Sequence, residues 1–470
     1  MYPEIIQGGM GLNISNWSLA KKVSMLGQLG TVSGVALERV MARILQMGDP
    51  GGHFRRALAT FPFPKYAEKV LSEYFVENGI LKGTSPKNVP VFTIKPPDLL
   101  ISLTICANYA FVWLAKEGHN NPVSINYLEK IQMPHIYAIL GAMLAGVDYI
   151  TAGAGLPFQI PEVINAIMDG RALSYHLHVV GGKTPHYMSL DPKKFFDGSL
   201  PLMKRPGFIP IISSNLLASL CIKKIQRKNI YGFVVEEPPA GGHNAPPRRG
   251  GVYGDEDVVD YHKLSEQLGK LELPFWIGGA YSSPEKLSLA LSMGAVGIQV
   301  GTIFALCDDS GMDPRIRREV LRLGFEGKLK VVRDMLASPS GFPFMVVQLA
   351  GTVSERCVFE NRRRLCDQGA LVTLFERPDG SIGYRCPAER IEVYVSKGGS
   401  LVDTANRKCI CNGLITTAGL RNGGDDDEPA IVTSGEDVSF LKKIMKKADD
   451  SHTAEEAINF LLGISSNTNV

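Results

Sequence analysis

The sequence lacks an excess of charge of either sign. Across its 470 residues, 50 Lys and Arg face 47 Asp and Glu, for a formal net charge of +3. That balance excludes the basic surface of a dedicated nucleic-acid binder. Cysteine is scarce, 8 in all, which is too few for a disulfide scaffold. Long apolar runs are short supply too: Ile136 to Val147 closes at Asp148 after about twelve residues, where a membrane span needs ~20. Met1-Tyr2-Pro3-Glu4 brings no basic region or apolar signal core, so the expectation is a cytosolic chain with no membrane anchor. What the chain does have is 45% apolar and 8% aromatic residues, enough to exclude disorder and to build a large core without a staple.

A local design recurs three times: an apolar helical stretch, a stopping glycine, and a short apolar strand ended by another glycine. It runs from Val23 to Gly34, from Leu140 to Gly153, and from Leu289 to Gly301. Glycine accepts the left-handed conformation of a helix end, and such joins recur where helices connect parallel strands. Further strands are expected at Glu4–Gln7, Pro122–Asn126, Phe208–Ser213, Gly232–Glu236 and Pro274–Gly278. The total suits an α/β fold closed as a (β/α)8 TIM barrel within residues 1–306, with a doubly wound open sheet as the alternative.

Two excursions, 48–120 and 172–206, exceed what one connecting helix needs, and such insertions in barrels usually roof the active site. Within the second, Ser174 to Val179 alternates like a strand. Residues 307–420 form a smaller C-terminal α+β region in which Arg377-Pro378-Asp379-Gly380 joins two strand-like runs. Residues 421–470 open on an acidic, glycine-rich linker and close on a helix announced by the capping box Thr453-x-x-Glu456. Lys442, Lys443, Lys446 and Lys447 read as a solvated helix face.

Gly278-Gly279 and Gly301-Thr302 end two consecutive strands, the seventh and eighth of a barrel. Loops after those strands commonly hold phosphate, because backbone N–H groups unobstructed by a β-carbon can surround the anion. A third constellation, Glu236 to Gly250, pairs Gly241 and Gly242 with His243. There the glycines allow a flat ligand close to the backbone, and the histidine, titrating near neutrality when unperturbed, is presented to the barrel mouth. The other eight histidines are read as structural, His53 least securely.

Taken together, Ile5 to Gly11, Ala240 to His243, Gly278 to Ala280 and Gly294 to Phe304 resemble the nitronate monooxygenase (2-nitropropane dioxygenase) family of FMN-dependent barrels. That superfamily also contains FMN-dependent enoyl-acyl-carrier-protein reductases. The resemblance covers residues 3 to about 306. It implies that Gly8, Gly9, Met10 and Asn126 lie at the flavin ring with Gly241 and Gly242. It further implies that Gly278, Gly279, Gly301 and Thr302 hold the FMN phosphate, and that His243 is the catalytic histidine. The pattern departs at Pro238-Pro239 and at Asn244-Ala245-Pro246-Pro247, where family members carry a glutamate before the glycine pair and a basic residue and glycine after the histidine.

The first function implied is oxidation of alkyl nitronates or nitroalkanes by dioxygen to a carbonyl compound and nitrite, with His243 as base or, once protonated, as a charge partner. The second is NAD(P)H-dependent enoyl reduction, in which Lys204, Arg205, Arg248 and Arg249 would meet an acyl carrier protein. A third, of another class, is a non-catalytic flavin- or metal-binding subunit. Its motive is Cys366, Cys386, Cys409 and Cys411, four thiols able to enclose zinc or an iron–sulfur cluster, or simply to be buried.

Overall fold

The structure is a computed structural model, and it describes residues 2–81, 83–248, 252–420 and 427–464. Gly423 to Asp426 of the expected linker, together with Arg249 and Gly250, lie outside the described residues.

All eight expected strands form, and they are parallel: β1 (Ile5–Gln7), β2 (Gly30–Ser33), β3 (Val123–Leu128), β4 (Tyr149–Gly153), β5 (Gly207–Ile212), β6 (Phe233–Glu236), β7 (Phe275–Gly278) and β8 (Gly297–Val300). Their order is β1-β8-β7-β6-β5-β4-β3-β2. The ends of that series meet. Ile6 bridges Leu29 in parallel, with Gln7 N–H donating to Leu29 O and Leu29 N–H to Ile5 O, both at 3.0 Å. The sheet is therefore a closed (β/α)8 TIM barrel, and the open-sheet alternative falls.

Alternation along the strands splits the core in two. Ile6, Leu29, Ile209, Val234 and Trp276 point inward and fill the barrel's lower half. Their neighbours Ile5, Phe208, Phe233, Val235 and Ile277 point outward against the helices. Trp276 donates from Nε1 to Pro3 O at 2.8 Å and packs edge-on against Tyr2, so the amino end is plugged by apolar rings. The carboxyl end, where the strands finish in Gly, Gln and Glu, is left for a ligand.

Gly27, Gly146 and Gly294, with φ of 80°, 75° and 86°, sit at the three anticipated helix-to-strand joins.

The 48–120 excursion does not roof the site as expected. Most of it thickens the outer wall through helices His53–Ala59, Pro64–Tyr74 and Asp98–Lys116, the last packing on both neighbouring barrel helices. Asp98–Lys116 also displaces Ile136–Val147 as the principal apolar element. It has 19 residues and a mean hydropathy of 1.6, long and apolar enough to cross a membrane, yet 83% of that stretch is buried within the fold. Its polar residues hid it in the sequence. Ser102 and Thr104 donate back to Asp98 O and Leu100 O, and Asn108 to Thr104 O, which lets them sit on an apolar helix.

That helix meets His135–Leu144 where Gly141 lies on the Ile105 carbonyl, so closely that any β-carbon would overlap the oxygen. Gly141→Ala should therefore destabilise the protein by about 1–3 kcal/mol through forced separation of the two helices. Urea unfolding of the pair of proteins reads this, and an unchanged midpoint would mean the helices are free to part.

The mouth is covered instead from the C-terminal half. Hairpin Leu173–Leu177/His186–Leu190 of the second excursion pairs antiparallel, and its Val179–Val180 joins Thr373–Glu376 and Ile382–Arg385 in one sheet. The anticipated turn at Arg377 to Gly380 joins the last two strands. The Thr453 capping box also forms, with Glu456 N–H donating to Thr453 Oγ1 at 3.2 Å and Thr453 N–H to Glu456 Oε2 at 2.7 Å. Helix Leu441–Ile444 takes only Lys442 and Lys443 of the four lysines. Lys446 and Lys447 lie beyond it, bonded through their N–H groups to Asp450.

Candidate active site

Two adjoining cavities occupy the carboxyl end of the barrel. The first, of about 1010 Å³, is walled by Gly8, Gly9 and Met10 after β1, Gly241 and Gly242 after β6, Gly278 and Gly279 at β7, and Gly301 and Thr302 after β8. The second, of about 1050 Å³, shares Gly9, Gly241 and Gly242 with it and adds Asn126 and His243. Every barrel residue implicated from the sequence thus reaches this one space. Asn126 is fixed by Thr151 Oγ1, which donates to its Oδ1 at 2.8 Å.

Two kinds of glycine line the first cavity. At Gly9 a β-carbon would overlap the Asn126 side chain, and at Gly279, with φ of 104°, it would come within 2.9 Å of the Glu237 carbonyl. Those positions are glycine because the protein packs there. At Gly301 a β-carbon would meet only the Met10 side chain at 3.6 Å, so that position keeps space open. At Gly242 it would meet nothing within 4 Å, but a φ of 78° already calls for glycine there. The Gly278-Gly279 loop is braced by Glu237, whose Oε1 accepts from Tyr261 and Tyr281 hydroxyls at 2.7 and 3.2 Å.

The roof was not legible in the sequence. Thr433, Ser434, Gly435 and Asp437 complete the first cavity and Leu414 borders both. Gly435 N–H donates to Thr302 Oγ1 at 2.9 Å, and Gly242 N–H to Thr433 Oγ1 at 2.9 Å. Gln299 and Glu236 also line both cavities. They stand at the ends of β8 and β6, a position that could have marked them, since strand-end polar side chains in a barrel face the mouth.

His243 is held by its backbone: it bridges Phe344, Met345 N–H donates to Gly242 O at 2.9 Å, and Asn244 N–H to Pro343 O at 3.0 Å. Its Nε2 is 2.7 Å from Ser338 Oγ and its ring stands edge-on to Phe344. The ring is partly exposed and lines the second cavity. Burial pushes its pKa down to about 3, and the nearby Lys130 charge adds to that. The imidazole is therefore neutral at physiological pH and free to accept a proton, though weakly basic.

Two further ionisable groups face the same region. Burial lifts the Glu236 carboxyl to about 7, with Lys130 opposing. Burial drops the Lys130 ammonium to about 7, with Glu236 opposing. Lys130 Nζ lies 2.9 Å from the centre of the Phe342 ring and makes no hydrogen bond.

Because the folded Glu236 binds its proton more tightly than the ordinary value of 4.5, the unfolded chain ionises first, and stability falls as pH rises from about 4.5 to about 7. Glu236→Gln should flatten that fall by about 1–2 kcal/mol, allowing for solvent at a half-buried group. Part of the slope will stay, since Glu129 and Glu428 are lifted by burial in the same way. Urea unfolding of the cofactor-free protein across this range is the measurement, and an unaltered slope would deny that Glu236 is buried as a neutral acid.

The four cysteines do converge, though as an apolar cluster. Cys386 and Cys409 are buried with Ala388, and Cys366, Cys411 and Val372 pack against them. Burial raises the Cys409 thiol and lifts Cys411 to about 12. Among the described residues no group of three or more His, Cys, Asp or Glu side chains is arranged to hold a metal ion, so the zinc and iron–sulfur expectation gives way to buried thiols.

Three of the basic residues expected to meet a carrier protein are among the described residues. Lys204 and Arg205 precede β5 at the amino end of the barrel, bonded to Asp148 and to Asn165 and Asn229. Arg248 follows β6 at the opposite end, its N–H donating to Asp257. His53 sits on the outer wall against Trp17 and Arg56, as a structural residue.

Fold and cavity together define a (β/α)8 barrel with a glycine-walled ligand site at the carboxyl ends of its strands. No protein-family model matches this chain, and no curated protein matches it at a significant level. Solved structures similar to it include FabK from Thermotoga maritima, 14% identical, covering 99% of this chain and 93% of that one, with a TM-score of 0.48. They include the enoyl reductase domain of MlnA from the macrolactin biosynthesis cluster of Bacillus amyloliquefaciens, 11% identical over 98% and 93%, with a TM-score of 0.47. Nitroalkane oxidase from Streptomyces ansochromogenes is 11% identical over 98% and 95%, with a TM-score of 0.42.

Proposed function

We propose that this chain is an FMN-dependent oxidoreductase of the nitronate monooxygenase type, acting on nitroalkanes or their nitronates. The observation that carries the reading is the joining of a glycine-walled cavity to a neutral, cavity-facing His243. FMN suits the first cavity because Gly301 holds open space that neither the protein's packing nor its backbone conformation there requires. Gly278, Gly279, Gly301 and Thr302 would hold its phosphate, and Gly8, Gly9, Met10 and Asn126 would border its ring. Bound there, FMN supplies an electron acceptor beside the substrate carbon.

The chain's own residues do the rest. Neutral His243 takes the α-proton of a nitroalkane, which lies acidic because the nitro group spreads the resulting charge. The Lys130 charge, which opposes an imidazolium, equally favours a nitronate anion in the same space. Phe344, Leu371, Ile410 and Leu414 exclude bulk water around it.

Enoyl reduction with NAD(P)H is the second reading, favoured by one observation: the apolar second cavity opens into a groove bordered by Ile131, Leu156 and Phe342, which suits an elongated substrate. Against it, little of the His243 ring is protonated at physiological pH and able to donate, although the same low pKa also makes it a weak base in the first reading.

An anaerobic visible spectrum of the purified protein separates these. A flavin that ignores NADH and NADPH and changes on adding a nitronate is expected. Rapid bleaching by either nucleotide would transfer the assignment to enoyl reduction, and absence of flavin uptake would sink both.

A further inference from the structure

With substrate seated against His243, the proton that the ring accepts needs a route to the groove onto which the second cavity opens. We infer that Ser338 and Ser340 form a hydroxyl relay carrying that proton from His243 to the outer groove. This rests on the reading of His243 as the base.

The geometry is continuous. His243 Nε2 and Ser338 Oγ are 2.7 Å apart, and Ser338 Oγ and Ser340 Oγ are 2.7 Å apart. Either hydroxyl can donate in the second bond, which is the condition for a proton to pass along it. Ser338 is fully buried, whereas Ser340 borders a different cavity, the groove it shares with Lys130 and Phe342. The path therefore starts in the catalytic space and ends outside it.

The segment carrying these serines is rigid. Asp334 Oδ1 accepts from Leu336 and Ala337 N–H at 2.9 Å, Lys408 Nζ pairs with Asp334 at 2.8 Å, and Arg407 Nη1 donates to Ser338 O at 2.6 Å. Pro339 separates the two serines and restricts the backbone between them. Such bracing holds both hydroxyls in line.

In the transfer, imidazolium Nε2 gives its proton to Ser338 Oγ as the Ser338 proton moves to Ser340 Oγ and the Ser340 proton moves to water in the groove. His243 takes the substrate proton on Nδ1 and loses one from Nε2; one proton reaches solvent, both hydroxyls are restored, and a turn of the ring brings the bare nitrogen back to the substrate. The charged groups facing this path are Lys130 and Glu236. Lys130 disfavours a proton resting on His243, and so drives it outward.

Ser340→Ala cuts the outer end while leaving the His243–Ser338 bond. Because His243 starts neutral, the first abstraction is untouched and only its resetting slows. The expected result is a ~10-fold fall in kcat with kcat/KM within ~2-fold of the parent. Alongside, NMR on the full chain with isotope-labelled histidine should show the His243 ring N–H exchanging with solvent more slowly by a similar factor. Ser340→Thr, which returns a hydroxyl, should restore both readings.

Unchanged ring exchange in Ser340→Ala overturns the relay, as does an equal fall in kcat and kcat/KM, which marks a merely structural role. Slower exchange with unchanged kcat overturns it too, since turnover would then not use the path. Undiminished turnover in His243→Ala would overturn the functional reading itself, an outcome separate from any of these.

Discussion

His243→Ala should purify yellow, loaded with FMN, and lose ~10²–10⁴-fold in turnover of nitroalkane, the span associated with a positioned general base. Retention of the cofactor follows from where the side chain sits. The loop is fastened by main-chain bonds to Pro343 and Met345 and by Thr433 Oγ1 to Gly242 N–H, none of which involves the imidazole. The ring's only hydrogen bond among the described residues is to Ser338, so its removal opens space beside the cofactor without unmaking the cradle. A preformed nitronate should be far less affected than the nitroalkane, because its proton is already gone. If both substrates suffer alike, His243 holds the anion rather than making it. With a folded pKa of about 3, it should also impose no acid limb on kcat/KM near neutral pH. A loss of activity there would instead follow Glu236 or Lys130, each titrating at about 7.

The second large effect is expected at Gly301. Its φ of −116° is open to any residue, and an alanine β-carbon would touch only Met10 at 3.6 Å. Gly301→Ala should therefore leave the unfolding midpoint of the cofactor-free protein where it was. The same methyl enters the space assigned to the FMN phosphate, so affinity for FMN should drop by at least about tenfold, or ~1.4 kcal/mol. Fluorescence titration of the stripped protein with FMN measures this. Parent-like affinity would mean that the phosphate lies elsewhere. A lowered midpoint without FMN would mean that the glycine serves packing, as Gly9 and Gly279 do.

Much of the catalytic end was legible because it is built from strand ends. Gly8, Gly278 and Gly301 each follow a short apolar run, and a barrel gathers such positions at one mouth whatever the details of its outer wall. The roof was not legible for the opposite reason. Thr433, Ser434, Gly435 and Ser338 match no motif in the sequence. Nothing local records that Gly435 lies on Thr302, or Ser338 on His243, across a long stretch of intervening chain. The excursion at 48–120 misled because length alone suggests a roof. The helix at its end instead buries a long apolar surface against the outer wall, and burial of that surface outweighs any local preference.

By itself, then, the sequence determined the barrel. Eight glycine-punctuated strands joined by helices have few ways to bury both faces, and apolar alternation fixes which side chains fill the inside. It also singled out bare glycines at consecutive strand ends, which is where the proposed reading puts a phosphate-bearing cofactor. Only the tertiary structure decided the state of His243, because burial by Phe344 and the charge on Lys130 come from distant segments. It likewise decided the fate of the four cysteines. Their spacing allowed a metal, and in the fold they gather with Ala388 in an apolar cluster where burial raises the thiols of Cys409 and Cys411 while the Cys386 hydrogen bond lowers that of Cys366.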